Sequence, residues 1–130
     1  MQETCFKAKF GKREYSFQLG HAQLYELETG AEWRDDPGLR QLALMHAQLT
    51  ADRARGPIPK LFARLRSGDW TMPDVTHTIR LALIGGGASA EEAQTLVAGH
   101  VLDRPLAASV QLAIAAVGAA LVGKKEAAAA

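Results

Sequence analysis

Cysteine occurs once in 130 residues, as Cys5. That excludes an internal disulfide framework and any multi-cysteine zinc site, and it suits a reducing compartment. An excess of one charge is missing too: fifteen Lys and Arg face fourteen Asp and Glu, a formal net charge of +1. No bulk electrostatic force therefore commits the chain to nucleic acid or to an anionic membrane. The opening Met-Gln-Glu-Thr-Cys-Phe-Lys has neither the basic start nor the apolar stretch of a secretory signal, so the expected location is the cytoplasm. Histidines stand at 21, 46, 77 and 100, with no pair three or four apart. That spacing offers no compact metal-ligand or nucleophile pattern, so the expectation is a protein that is not an enzyme and uses no cofactor or metal. The longest uncharged stretch, Pro105 to Gly123, is rich in Ala and contains Ser109 and Gln111. Its insertion into lipid would be poor, and a buried bundle helix is the better reading than a membrane span.

What is present begins with alternation. Phe6, Ala8 and Phe10 alternate with Lys7 and Lys9, and Tyr15, Phe17 and Leu19 alternate with Glu14, Ser16 and Gln18. Gly11-Lys12 between the runs suits a two-residue type II′ turn, because Gly takes the positive φ of the first turn position. That turn sets Phe10 opposite Arg13, Lys9 opposite Glu14, Ala8 opposite Tyr15 and Phe6 opposite Phe17, which gathers the aromatics on one face. A lone hairpin is marginal in water, so this face must pack on the helices downstream of it.

Helical spacing takes over at residue 20. A short helix over 20–29 stops at Gly30, and a second runs from Leu39 through Leu42, Ala43, His46 and Leu49 to about Ala54. After Gly56-Pro57, the stripe Ile58, Leu61, Phe62, Leu65 marks a third helix ending at Ser67-Gly68. Thr71-Met72-Pro73-Asp74 reads as a capped start, with Trp70 placed to staple onto Val75, for a fourth helix to about Ile84. Gly85 to Gly87 stop it, and Ser89-Ala-Glu-Glu92 caps a fifth helix to about Leu102. In the last helix, after Asp103-Arg-Pro105, Leu106, Val110, Ala113, Ile114, Val117 and Leu121 form an apolar face, with small Ala and Ser residues on the other. The fold class is therefore α+β, mainly α: an N-terminal hairpin (5–19) packed on five or six short helices (20–122). Residues 1–123 are expected to make one domain, and 124–130 a disordered tail.

Two local patterns invite a chemical reading. Gly85-Gly-Gly-Ala-Ser89 superficially resembles a phosphate cradle, but it lacks a following Lys and comes after a helix rather than a strand, so a helix-to-helix turn is the better reading. The same helix-turn-helix would place residues 89–102 in a DNA major groove, where Glu91 and Glu92 would meet a polyanion. Charge is also segregated. Residues 20–36 carry Glu26, Glu28, Glu32, Asp35 and Asp36 against Arg34, and residues 51–66 carry Arg53, Arg55, Lys60, Arg64 and Arg66 against Asp52. Such patches suit contact between copies or with a partner of mixed charge, and they equally suit two solvated helix faces. Trp33 and Trp70 flank this region, which makes Trp33, Trp70, Arg53 and Arg64 the candidate partner-binding residues.

The ordered set of segments resembles a known family. Phe10-Gly-Lys-Arg-Glu-Tyr-Ser-Phe-Gln-Leu-Gly-His-Ala-Gln-Leu-Tyr-Glu-Leu-Glu28, Leu61-Phe-Ala-Arg-Leu-Arg-Ser-Gly68, Asp74-Val-Thr-His-Thr-Ile-Arg-Leu-Ala-Leu-Ile-Gly-Gly-Gly87 and Arg104-Pro-Leu are similar to the gene-transfer-agent type of phage tail assembly chaperone. The helical stretch at about 33–56 is longer than the link this pattern carries. The resemblance implies a protein that binds a tape measure protein during assembly, keeps its apolar helices soluble until tail tube protein displaces it, and has no catalytic residues. A structural tail completion or adaptor protein is the alternative, and a DNA-binding regulator a more distant one.

Overall fold

The computed structural model describes residues 4–50, 53–102 and 104–123; the expected tail at 124–130 lies outside the described residues. Strands β1 (Cys5–Phe10) and β2 (Arg13–Gln18) pair antiparallel in the anticipated register, Phe6 with Phe17, Ala8 with Tyr15 and Lys9 with Glu14. Gly11 opens the turn with φ +72°, which an L side chain rarely tolerates. Phe6 stacks on Phe17 at 5.6 Å and Phe10 meets Phe17 edge-on at 5.9 Å, so the aromatic face forms a cluster. Phe10 and Phe17 are buried, and the opposite face carries the exposed Lys9 and Glu14.

Among the described residues six helices follow: α1 (His21–Thr29), α2 (Pro37–Thr50), α3 (Ile58–Ser67), α4 (Met72–Gly85), α5 (Ala90–His100) and α6 (Leu106–Val122). Helix α4 is the axis of the fold and packs against β2, α1, α5 and α6. Its start is capped reciprocally: the Thr71 hydroxyl accepts the Asp74 N–H and the Asp74 carboxylate accepts the Thr71 N–H. Trp70, just before the cap, packs against the core to which Val75 belongs. Residues of both strands and of every helix except α2 form one apolar cluster, with Phe17, Leu27, Leu61, Ile79 and Val117 fully inaccessible.

The glycine run is a packing device. A Cβ on Gly85 would collide with the Gln18 carbonyl and one on Gly86 with the Ser16 carbonyl, so only glycine lets the end of α4 lie against β2. The Ser89 hydroxyl then accepts the Glu92 N–H at 3.0 Å and starts α5, with Glu91 and Glu92 exposed in its first turn.

Three expectations need correction. Helix α2 starts at Pro37, where the Asp36 carboxylate accepts the Leu39 N–H, and the chain from Arg53 to Pro57 is not helical. There the Arg55 and Gly56 N–H groups donate to the carbonyls of Leu27 and Glu28 and tie the link to the end of α1. Helix α5 ends at His100, two residues short of the expected stop. In α6 the buried face is Ser109, Val110, Ala113, Ala116, Val117 and Ala119, while Leu121 is exposed. The small residues face inward because α6 lies close against α3 and α4, where a larger side chain would hold the helices apart.

Candidate partner-binding cleft

Helices α1, α4 and α5 enclose a cleft of about 650 Å³ that the fold leaves open to solvent. Its lining mixes apolar residues, Ala22 of α1, Leu81 and Ile84 of α4 and Val97 and Ala98 of α5 with half-exposed Leu102 at one end, with the polar Gln23, Thr76 and Gln94. Its rim is polar and of mixed sign: Glu26, Glu32, Arg53, His77 and Arg80. Arg80 reaches Glu26 at 3.5 Å and His77 Nδ1 at 3.3 Å, so an ion pair half-removed from water spans one wall. A groove of mixed apolar and polar residues between opposite charges can seat an amphipathic helix. No reactive geometry is needed for that.

Two of the four candidates from the sequence, Trp33 and Arg53, line this cleft. Trp33 is fixed where it stands. Tyr25 meets its ring edge-on at 5.2 Å, the Arg40 guanidinium lies 4.1 Å from its centroid, and its indole N–H donates to Asp35 at 3.0 Å. Arg53 is exposed at the far side of the α2 excursion.

The other two lie elsewhere, for a reason that can be read from Asp74. This carboxylate is 1% exposed and accepts from Arg64 through Nε at 3.1 Å and Nη2 at 3.0 Å, and from Arg55 Nη1 at 3.2 Å. Arg64 also donates to the Arg55 carbonyl at 2.9 Å. Burial pushes the Asp74 carboxyl up, but the Arg64 hydrogen bonds, the Thr71 N–H, the Arg64 charge and Arg55 outweigh it and hold the carboxyl below its ordinary value. The bond to Asp74 in turn raises the Arg64 guanidinium against the opposing effect of burial. Arg64 is thus a structural cation and Trp70 a core-packing ring.

Part of the segregated charge of the sequence is paired within the molecule. Of the acidic run, Glu26 pairs with Arg80, Glu28 accepts the Ile58 N–H at the start of α3, and Glu32 pairs with Arg34. Of the basic run, Arg55 and Arg64 share Asp74. The histidines are dispersed: His21 begins α1, His46 sits on α2, His77 lines the cleft and the His100 ring packs edge-on against Phe10 at 5.3 Å. No helix among the described residues is long and apolar enough to cross a membrane.

The same span that folds around this cleft is the span of a known family. The model of the family described as phage tail tube protein, GTA-gp10, matches residues 5–123, from the first residue of β1 to the glycine that ends α6. The chain belongs to this family. The phage-tail and gene-transfer-agent context suggested by the ordered segments therefore holds, while the GTA-gp10 description names a tail tube protein and not a chaperone. No curated protein and no solved structure matches the chain.

Sequence reasoning missed the Glu26–Arg80 wall of the cleft. The two residues are 54 positions apart and on helices whose relative placement no local pattern specifies. The one available signal was that His77 and Arg80, three apart on α4, must share a face.

Proposed function

We propose that this GTA-gp10 family protein is a tail assembly chaperone that holds apolar helices of a tape measure protein in the bacterial cytoplasm until tail tube subunits displace it. It acts as a binding protein, with no catalysis and no cofactor. The observation that supports this reading is the open α1–α4–α5 cleft, whose mix of apolar residues and charges of both signs suits an amphipathic helical segment better than a small charged substrate. A client that must later be released calls for modest affinity repeated along its length, and a shallow groove on a small domain provides that.

The test is co-expression with a fragment of a tape measure protein from the same source. The fragment should stay soluble with the native chain and precipitate with Ala98→Glu or Leu102→Asp, which put charge into the cleft floor. A fragment equally soluble with and without the protein would remove the chaperone reading.

A second reading, a structural tail completion or adaptor protein, is favoured by the family description itself. The two diverge on whether the protein stays in the finished particle.

A further inference from the structure

A second, smaller pocket of about 170 Å³ opens where the hairpin turn meets the end of α5 and the start of α6. It shares no residue with the α1–α4–α5 cleft. Phe10 and Leu112 give it an apolar wall, and its polar side chains are Lys9, His100, Arg104 and Ser109. None of the four is acidic.

The fold leaves these polar groups unpaired. Ser109 is only 6% exposed, yet its hydroxyl makes no hydrogen bond among the described residues, although a helical serine commonly returns its hydroxyl to the carbonyl four residues back. That leaves a buried donor in the wall of the pocket. The His100 ring lies so close over Gly11 that a Cβ there would collide with it, and its Nδ1 is enclosed without a partner. Lys9 and Arg104 are exposed, and neither forms an ion pair among the described residues. Glu14 stands opposite Lys9 in the hairpin register without closing on it.

Helix α6 starts at the same place. Its N-cap is Pro105, which supplies no side-chain hydrogen bond, so the first-turn N–H groups of a seventeen-residue helix have no capping side chain. The positive end of the helix dipole adds to the two cations.

We infer that this pocket binds a phosphate group. A phosphate ester carries about −1.5 to −2 charges at neutral pH and three acceptor oxygens, whereas a carboxylate carries one charge and two oxygens. Two cations, an unpaired hydroxyl and a helix N-terminus match the larger demand. The same cations turn away metal ions. The volume accommodates the phosphate group with a few waters, each with a share of about 30 Å³, so the organic part of a phosphomonoester would stay outside the mouth. Free inorganic phosphate and a phosphomonoester are therefore the two sources of one ligand chemistry. The site goes beyond the chaperone reading and does not rest on it, because the two pockets have no residue in common.

The test is an NMR titration of the isotope-labelled full chain with sodium phosphate at neutral pH and fixed ionic strength. The expected result is a saturable shift confined to the amides of Gly11 and of Leu106 to Ser109, with a dissociation constant of about 1 mM or below. Sodium acetate should bind at least about fivefold more weakly. Arg104→Gln and Lys9→Gln should each raise the phosphate dissociation constant at least about fivefold with an unchanged melting temperature, because both side chains are exposed. Ser109→Ala, which keeps a small side chain against the core, should raise it about threefold. Lys12→Gln, an exposed cation outside the pocket, should leave it unchanged. Methyl phosphate separates the sources: binding as tight as phosphate admits a phosphomonoester, and loss of binding assigns the pocket to the free ion. No saturable shift up to about 20 mM phosphate, equal binding of acetate, or an affinity indifferent to both Arg104→Gln and Lys9→Gln would each overturn the proposal.

Discussion

Helices α2 and α4 are both fourteen residues long, and they use their apolar residues in opposite ways. In α4, Val75, Ile79, Leu81, Ala82 and Leu83 are buried, and the start of the helix is locked by Thr71, Asp74 and two arginines. In α2 only Ala47 is buried among the described residues, and three leucines and a methionine face solvent. Periodicity states that a face is to be covered, and does not say whether the cover belongs to the same molecule.

Substitutions that set one helix against the other sharpen this contrast. Ile79→Ala, in the fully buried face of α4, should cost about 4 kcal/mol of unfolding free energy by urea denaturation, the cost of lost transfer energy plus a cavity. Asp74→Ala should cost about 3 kcal/mol at neutral pH, because Arg55 and Arg64 lose the buried carboxylate they share.

The second effect carries a pH signature. The Asp74 carboxyl is held below its ordinary value in the folded state, so its stabilisation is complete above the unfolded value, near 3.9, and is lost as pH falls through the lower folded value. Denaturation curves of native protein and Asp74→Ala should converge as the pH falls below the folded value, and a constant gap down through the acid range would show that the carboxylate charge is not what stabilises α4.

Gly86→Ala should cost about 2 kcal/mol, since the added methyl meets the Ser16 carbonyl and moves α4 away from β2. Leu42→Ala on α2 should stay within about 0.5 kcal/mol for the monomer, the behaviour of an exposed position. A loss at Leu42 comparable to that at Ile79 would erase the distinction between the two helices.

The parts of the fold legible in the sequence are those set by neighbours along the chain. Period two with Gly11-Lys12 specified the hairpin and every pair in its register, and Thr71 with Asp74 marked the start of α4. What stayed hidden depends on long-range approach. Arg64 looked like a surface cation because the carboxylate that holds it lies ten residues on, at the head of the next helix. The inward face of α6 was misjudged because an alanine is as much a core residue as a leucine where two helices come close. Trp33 and Trp70 are equivalent by type; only the fold, which places one at a cleft rim and the other against the core, separates them.

Quantitative mass spectrometry of purified mature particles, compared with the lysate that produced them, tests the central claim most directly. A chaperone displaced by tail tube polymerisation should be abundant in the lysate and absent from the particles. A fixed copy number per particle, matching tail stoichiometry, would contradict it and assign the protein to the tail structure.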